Sequence, residues 1–86
     1  MRIQFDEKEL KILETLNQKG AMSPSQVSAT TWVIPTETMS LLEMLSKEGM
    51  VRIGPDSYSP DGKMVAITHQ ASNLLSKKRP QQLKAG

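Results

Sequence analysis

Cysteine is absent from the 86 residues. Its absence excludes disulfide frameworks and thiolate metal sites. Aromatic residues are nearly absent too, with one Phe, one Tyr and one Trp. The core must therefore be built from Leu, Ile, Val and Met. A single His, with no Cys beside it, leaves no metal-ligand spacing and no pairing of nucleophile and base. Asp56 and Asp61 fall in turn-like segments, where Asp commonly serves the backbone. No glycine-rich phosphate loop occurs. The sequence is therefore read as a non-enzyme that needs no cofactor and no metal. It also lacks an apolar run of roughly 20 residues and a signal-peptide pattern, so it predicts no membrane partner and a cytoplasmic location.

Charge is present in both signs but unevenly placed. Residues 1–50 carry five basic and seven acidic side chains, and residues 51–86 carry six basic and two acidic. A basic second half suits phosphates or an acidic protein, and it equally suits a solvated surface with a basic tail. The length fits one domain, which at this size buries only about 60% of its unfolded surface.

Start and stop signals are dense. Asp6 followed by Glu9 is a capping box, with Phe5 and Leu10 placed as a hydrophobic staple. Leu10, Ile12, Leu13 and Leu16 then recur at helical spacing, so the pattern predicts a helix over 7–19 with Gly20 beyond its end. Ser23, Pro24 and Gln26 repeat the start signal for a short second helix. Pro35 opens a third, with Leu41, Leu42 and Leu45 on its apolar face and Gly49 at its end. Ile34, the residue before it, has no side-chain oxygen to cap with.

After Gly49 the period changes. Residues 50–53 and 63–67 read as two short strands. Gly54-Pro55-Asp56 and Ser59-Pro60-Asp61-Gly62 read as turns between them. Thr68 can cap a last helix running to about 77. The order predicts an α+β, mostly helical winged helix-turn-helix: three helices, a two-stranded wing hairpin and a short C-terminal helix. The domain is expected over 1–79, with a flexible basic tail over 80–86.

Several segments, taken in order, resemble the winged-helix core of the multiple-antibiotic-resistance-regulator (MarR) family over roughly residues 7–76. Ser23-Pro24-Ser25-Gln26-Val27-Ser28-Ala29 is similar to the first helix of their helix-turn-helix. Pro35-Thr36-Glu37-Thr38 is similar to the opening of their recognition helix. Leu45-Ser46-Lys47-Glu48-Gly49-Met50-Val51 is similar to the segment ending it, and Ser59-Pro60-Asp61-Gly62-Lys63 to their wing. The departures are specific. Ser40 and Met44 are uncharged where the family often has basic residues, Trp32 stands where a small turn residue is usual, and the wing tip keeps only Lys63 with Arg52 behind it.

The resemblance implies transcriptional regulation through double-stranded DNA. Thr36, Glu37, Thr38 and Ser40 would meet base edges, although Thr38 falls where the family has a core Val. Arg52 and Lys63 on the wing, and the cluster Lys77, Lys78 and Arg79, would meet phosphates. The alternative for the cluster is a helix end complementing its own dipole. A second function class is a protein-interaction module. Trp32, Ile34, Met39 and Met44 would then form an apolar patch for a homodimer or another protein partner. Against it stands the reading that Trp32 folds back over a thin core.

Overall fold

The computed structural model describes residues 5–78. It is built in the order α1 (Glu7–Lys19), α2 (Pro24–Thr31), α3 (Pro35–Lys47), β1 (Val51–Pro55), β2 (Lys63–Ile67) and α4 (His69–Lys78). This is the winged helix-turn-helix expected from the sequence. The proposed tail, 80–86, lies outside the described residues, as does Arg79.

Both capping boxes form. The Asp6 carboxylate accepts the Glu9 N–H, and Glu9 in turn accepts the Asp6 N–H. Ser23 and Gln26 do the same at α2. Phe5 and Leu10 both pack against the core. The start of α3 has Pro35 at its first position and no side-chain cap. Its end is closed by backbone instead. Gly49 takes φ of 78°, a left-handed conformation that glycine adopts without a Cβ penalty. That turn lets Gly49 N–H donate to Ser46 and Met50 N–H donate to Leu45. The two bonds satisfy terminal carbonyls in the Schellman arrangement and carry the buried Met50 back against the core.

β1 and β2 pair antiparallel, from Val51 opposite Ile67 to Pro55 opposite Lys63. The expected turn at Gly54-Pro55 is corrected here, because both residues continue β1. Proline is tolerated there because β1 is an edge strand and its far side needs no donor. A single residue of the α1–α2 connection joins the sheet: Met22 and Val65 exchange both backbone hydrogen bonds, at 3.0 and 2.8 Å.

The core gathers Ile12, Leu13 and Leu16 of α1 with Val27, Leu42, Leu45 and the two strands. Thr68 ties the last helix to this body. Its hydroxyl lies 2.8 Å from Gly49 O and accepts from Ala71 N–H. Among the described residues no helix is long and apolar enough to cross a membrane.

Trp32 sits at the C-cap of α2 with φ of 64°, the only described non-glycine residue at positive φ. Its indole does not fold back over the core: the residue is 87% exposed. The left-handed turn between α2 and α3 points it outward, and Val33 takes the buried place beside it. A left-handed conformation costs a residue with a Cβ roughly 1–2 kcal/mol, part of which glycine returns through its larger unfolded entropy. Trp32→Gly is therefore expected to raise stability by about 0.5–1 kcal/mol. Thermal melts at low protein concentration check this, and a fall in melting temperature would show that the indole supports the fold.

Candidate nucleic-acid interface

The second and third helices and the hairpin carry three polar features. The first is the outer row of α3. Thr36, Ser40, Glu43 and Lys47 are all exposed, and they follow the spacing of one helix face. The second is the base of the wing, where Lys63 opens β2 with its side chain exposed. The third is the start of α2. Where α2, α3 and the wing meet lies a groove of about 280 Å3, lined by Pro24, Ser25, Pro35, Met39, Asp61 and Lys63.

The wing is held in place by one acidic side chain. Asp61 accepts from the Ser25 backbone N–H at 2.6 Å and from the Ser25 hydroxyl at 2.7 Å. Ser25 lies in the first turn of α2, whose free N–H groups and dipole favour a carboxylate. Asp61 thus bridges the wing to the helix-turn-helix across 36 residues of chain. The loop preceding it is ordered by its own turns. Tyr58 N–H donates to the Asp56 carboxylate, Asp61 N–H donates to Ser59 Oγ, and Asp56 N–H donates to Gly62 O.

These contacts lower the pKa of Asp61. The largest cause is the hydroxyl bond from Ser25, followed by the backbone bond from Ser25; a small desolvation opposes them, and the positive charge of Lys63 adds to them. A carboxyl with a depressed folded pKa contributes stability that is present above its unfolded pKa. That stability is lost as pH falls through the folded value. The latch is therefore expected to be closed at neutral pH and to open only below the ordinary carboxylate range. In Asp61→Asn the acid-induced part of this opening should vanish. Hydrogen exchange at the Ser25 amide across an acid titration reads it, and protection that does not change with pH in the native sequence would rule the latch out.

The expected base-reading residues divide. Thr36 and Ser40 are exposed at the start of α3. Thr38 is withdrawn: it is 1% exposed, and its hydroxyl donates to Val33 O. The left-handed turn at Trp32 leaves the Val33 carbonyl inside, and Thr38 and Ser28 both donate to it. Glu37 is drawn toward α1, where both its oxygens lie 2.9 Å from Lys8 Nζ. Arg52 is exposed on β1 opposite Ala66. That places it three residues along the hairpin from Lys63, or roughly 10 Å at strand spacing. Lys77 and Lys78 are the last residues of α4.

The expected four-residue apolar patch is also corrected. Trp32 and Ile34 are exposed together on the α2–α3 turn. Met39 instead packs against the core and lines the wing groove. Met44 is half-buried and lines neither of the two grooves beside Trp32. The cause is helical spacing, which turns Met39 and Met44 away from the loop that carries Trp32. Tyr58, unremarked in the sequence, is 96% exposed in the wing loop.

A tri-helical body with a left-handed turn between its second and third helices, and a hairpin latched beside the third, defines the class: a winged helix-turn-helix domain. Its architecture is that of the DNA-binding core of MarR-type transcriptional regulators. It superposes on BpsR of Bordetella bronchiseptica, whose DNA binding is regulated by 6-hydroxynicotinic acid, with a TM-score of 0.82 and 18% identity, over 90% of this chain and 55% of that one. A mutant MarR from E. coli complexed with operator DNA gives 0.81 and 16%, over 90% and 55%. A transcriptional regulator from Thermotoga maritima gives 0.76 and 19%, over 84% and 51%. The chain thus spans about half the length of these structures. No family model matches the sequence, and no curated protein matches it.

Proposed function

We propose that this chain is a DNA-binding transcriptional regulator, with α3 as its recognition helix and the hairpin as its wing. The observation that carries the reading is the Asp61–Ser25 latch. It holds Lys63 across a narrow groove from the start of α3, as a protein reading one groove while gripping the flanking phosphates requires. Thr36 and Ser40 would approach base edges in the major groove, each able to donate or accept. Lys63 and Arg52 would meet phosphates. MarR bound to operator DNA has the same architecture, and this supports the reading. A cytoplasmic site of action and the absence of catalytic activity go with it.

A monomer with so few cations should bind weakly, because affinity for DNA rests heavily on phosphate contacts. The test is a titration against random-sequence duplex at two salt concentrations. Binding that falls steeply with added salt is the expected result. No binding at the lower salt would overturn the reading in favour of a winged-helix protein-interaction module. Exposed Trp32 and Ile34 favour that second reading, as does Glu43 in the outer row of α3.

A further inference from the structure

α3 carries two acids, Glu37 and Glu43, against one base, Lys47. That balance is unfavourable for a helix meeting DNA, because the phosphates flanking a groove repel a carboxylate. Glu43 has Lys47 four residues on, the spacing and order at which a helix pairs opposite charges best. Glu37 has no cation at that spacing within α3. It serves the helix in another way. Ile34 gives α3 no side-chain cap, and Glu37 stands in the first turn, where a negative charge complements the helix dipole. The helix thus gains from an acid at the end that would meet base edges, where DNA tolerates one least.

The counter-ion comes from another element. Lys8 of α1, 29 residues away in sequence, places its Nζ 2.9 Å from both oxygens of Glu37. Lys8 lies between Glu7 and Glu9 in the first turn of α1, the end where the dipole disfavours a cation. Local helix stability therefore does not account for a lysine there. The pair adds little to the fold either, since its side chains are 54% and 40% exposed and such pairs are screened by solvent.

We propose that Lys8 is a positioning residue for DNA contact: it holds the Glu37 carboxylate toward α1 and neutralises it, so that α3 meets the duplex with Thr36 and Ser40 foremost. The proposal rests on α3 being the recognition helix. With Lys8 counted, the two acids of α3 face two bases, and the negative excess read from the helix alone disappears.

The test is a cycle of full-chain variants, Lys8→Gln, Glu37→Gln and both together. Each is titrated by anisotropy against labelled random-sequence duplex at low salt, where charge effects are least screened. The pair is exposed, so each variant should fold, and circular dichroism checks this. Lys8→Gln leaves Glu37 charged without its counter-ion and is expected to weaken binding roughly fivefold. Glu37→Gln breaks the same pair but leaves no carboxylate, and should bind at least as tightly as the native chain. The double variant should return to within about twofold of native binding. Lys8→Arg, which can also hold both oxygens, should bind as the native chain does. Three results overturn the proposal while leaving α3 as the recognition helix. No loss of binding in Lys8→Gln is the first. An equal loss in both single variants is the second, and would mean that the pair only braces α3 against α1. The third is an equal loss from Lys8→Gln with or without Glu37, which would mean that Lys8 meets a phosphate itself. No binding by the native chain at low salt is a separate outcome: it removes the DNA-binding reading, and this proposal falls with it.

Discussion

Leu45→Ala is expected to cost about 2–5 kcal/mol of folding stability. Leu45 is fully buried in α3, within the cluster that joins α1, α2 and the strands. Its carbonyl also accepts the Met50 N–H that turns the chain from α3 toward β1. Truncation removes apolar contacts and leaves a cavity that three packed helices close only in part. The loss is large against the total. At roughly 0.05–0.15 kcal/mol per residue, a domain of this size has about 4–13 kcal/mol to lose. A fall in melting temperature of at least about 10 °C should follow. Glu43→Ala, two positions away on the exposed face of the same helix, should change stability by no more than about 0.5 kcal/mol. If both variants melt with the native protein, the packing of α3 against α1 is wrong.

What made this core legible was local chemistry. Asp6 with Glu9 and Ser23 with Gln26 fixed two helix starts, because a capping box joins residues three apart and needs no tertiary context. Gly49 marked the end of α3 for a similar reason. Contacts that depend on distant chain were not legible. Met22 carries no strand pattern, since a lone bridge to Val65 has no period to read. The partnership of Asp61 with Ser25 lies between segments that each look complete alone: a turn, and a helix already capped by Ser23. Trp32 ran against expectation because tryptophan is buried on average, whereas here the backbone of the turn decided its direction. Gly54-Pro55 looked like a turn by composition, yet an edge strand makes no use of the donor that proline lacks.

The same distinction divides the candidate interface. The row Thr36 and Ser40 was readable from helical spacing once Pro35 set the register. Thr38 and Glu37 share that helix start but are claimed by other partners, Val33 O and Lys8. Neither claim can be seen in the sequence of α3 itself. Sequence therefore located α3 and its exposed row but not the partners that claim Thr38 and Glu37.

Lys63→Ala should weaken binding to random duplex about tenfold at 0.1 M salt and lower the salt slope by about 0.9, the share of one phosphate contact. Lys63 is singled out by position. It is the first residue of β2 and lies two residues after Asp61, whose latch fixes the base of the wing against α2. A cation on so constrained a hairpin loses little freedom on meeting a phosphate, whereas a cation on a long free loop would lose more. Arg52 pairs with Ala66, three residues from Lys63, so its side chain leaves the opposite face of the hairpin and does not take over the same phosphate. Because the lost contact is to backbone, the weakening should be the same for every duplex sequence. Ser40→Ala should behave in the opposite way, leaving the salt slope alone and changing only the ranking among sequences. Gel-shift or anisotropy titrations over a salt series, with circular dichroism to verify folding, separate the two. An unchanged slope for Lys63→Ala would remove the wing from the interface. Asp61→Asn adds a further check, because it removes a negative charge beside Lys63 but also weakens the latch. If charge alone governs wing contact, that variant binds more tightly; if placement governs it, as the rigid geometry of the wing implies, it binds more weakly.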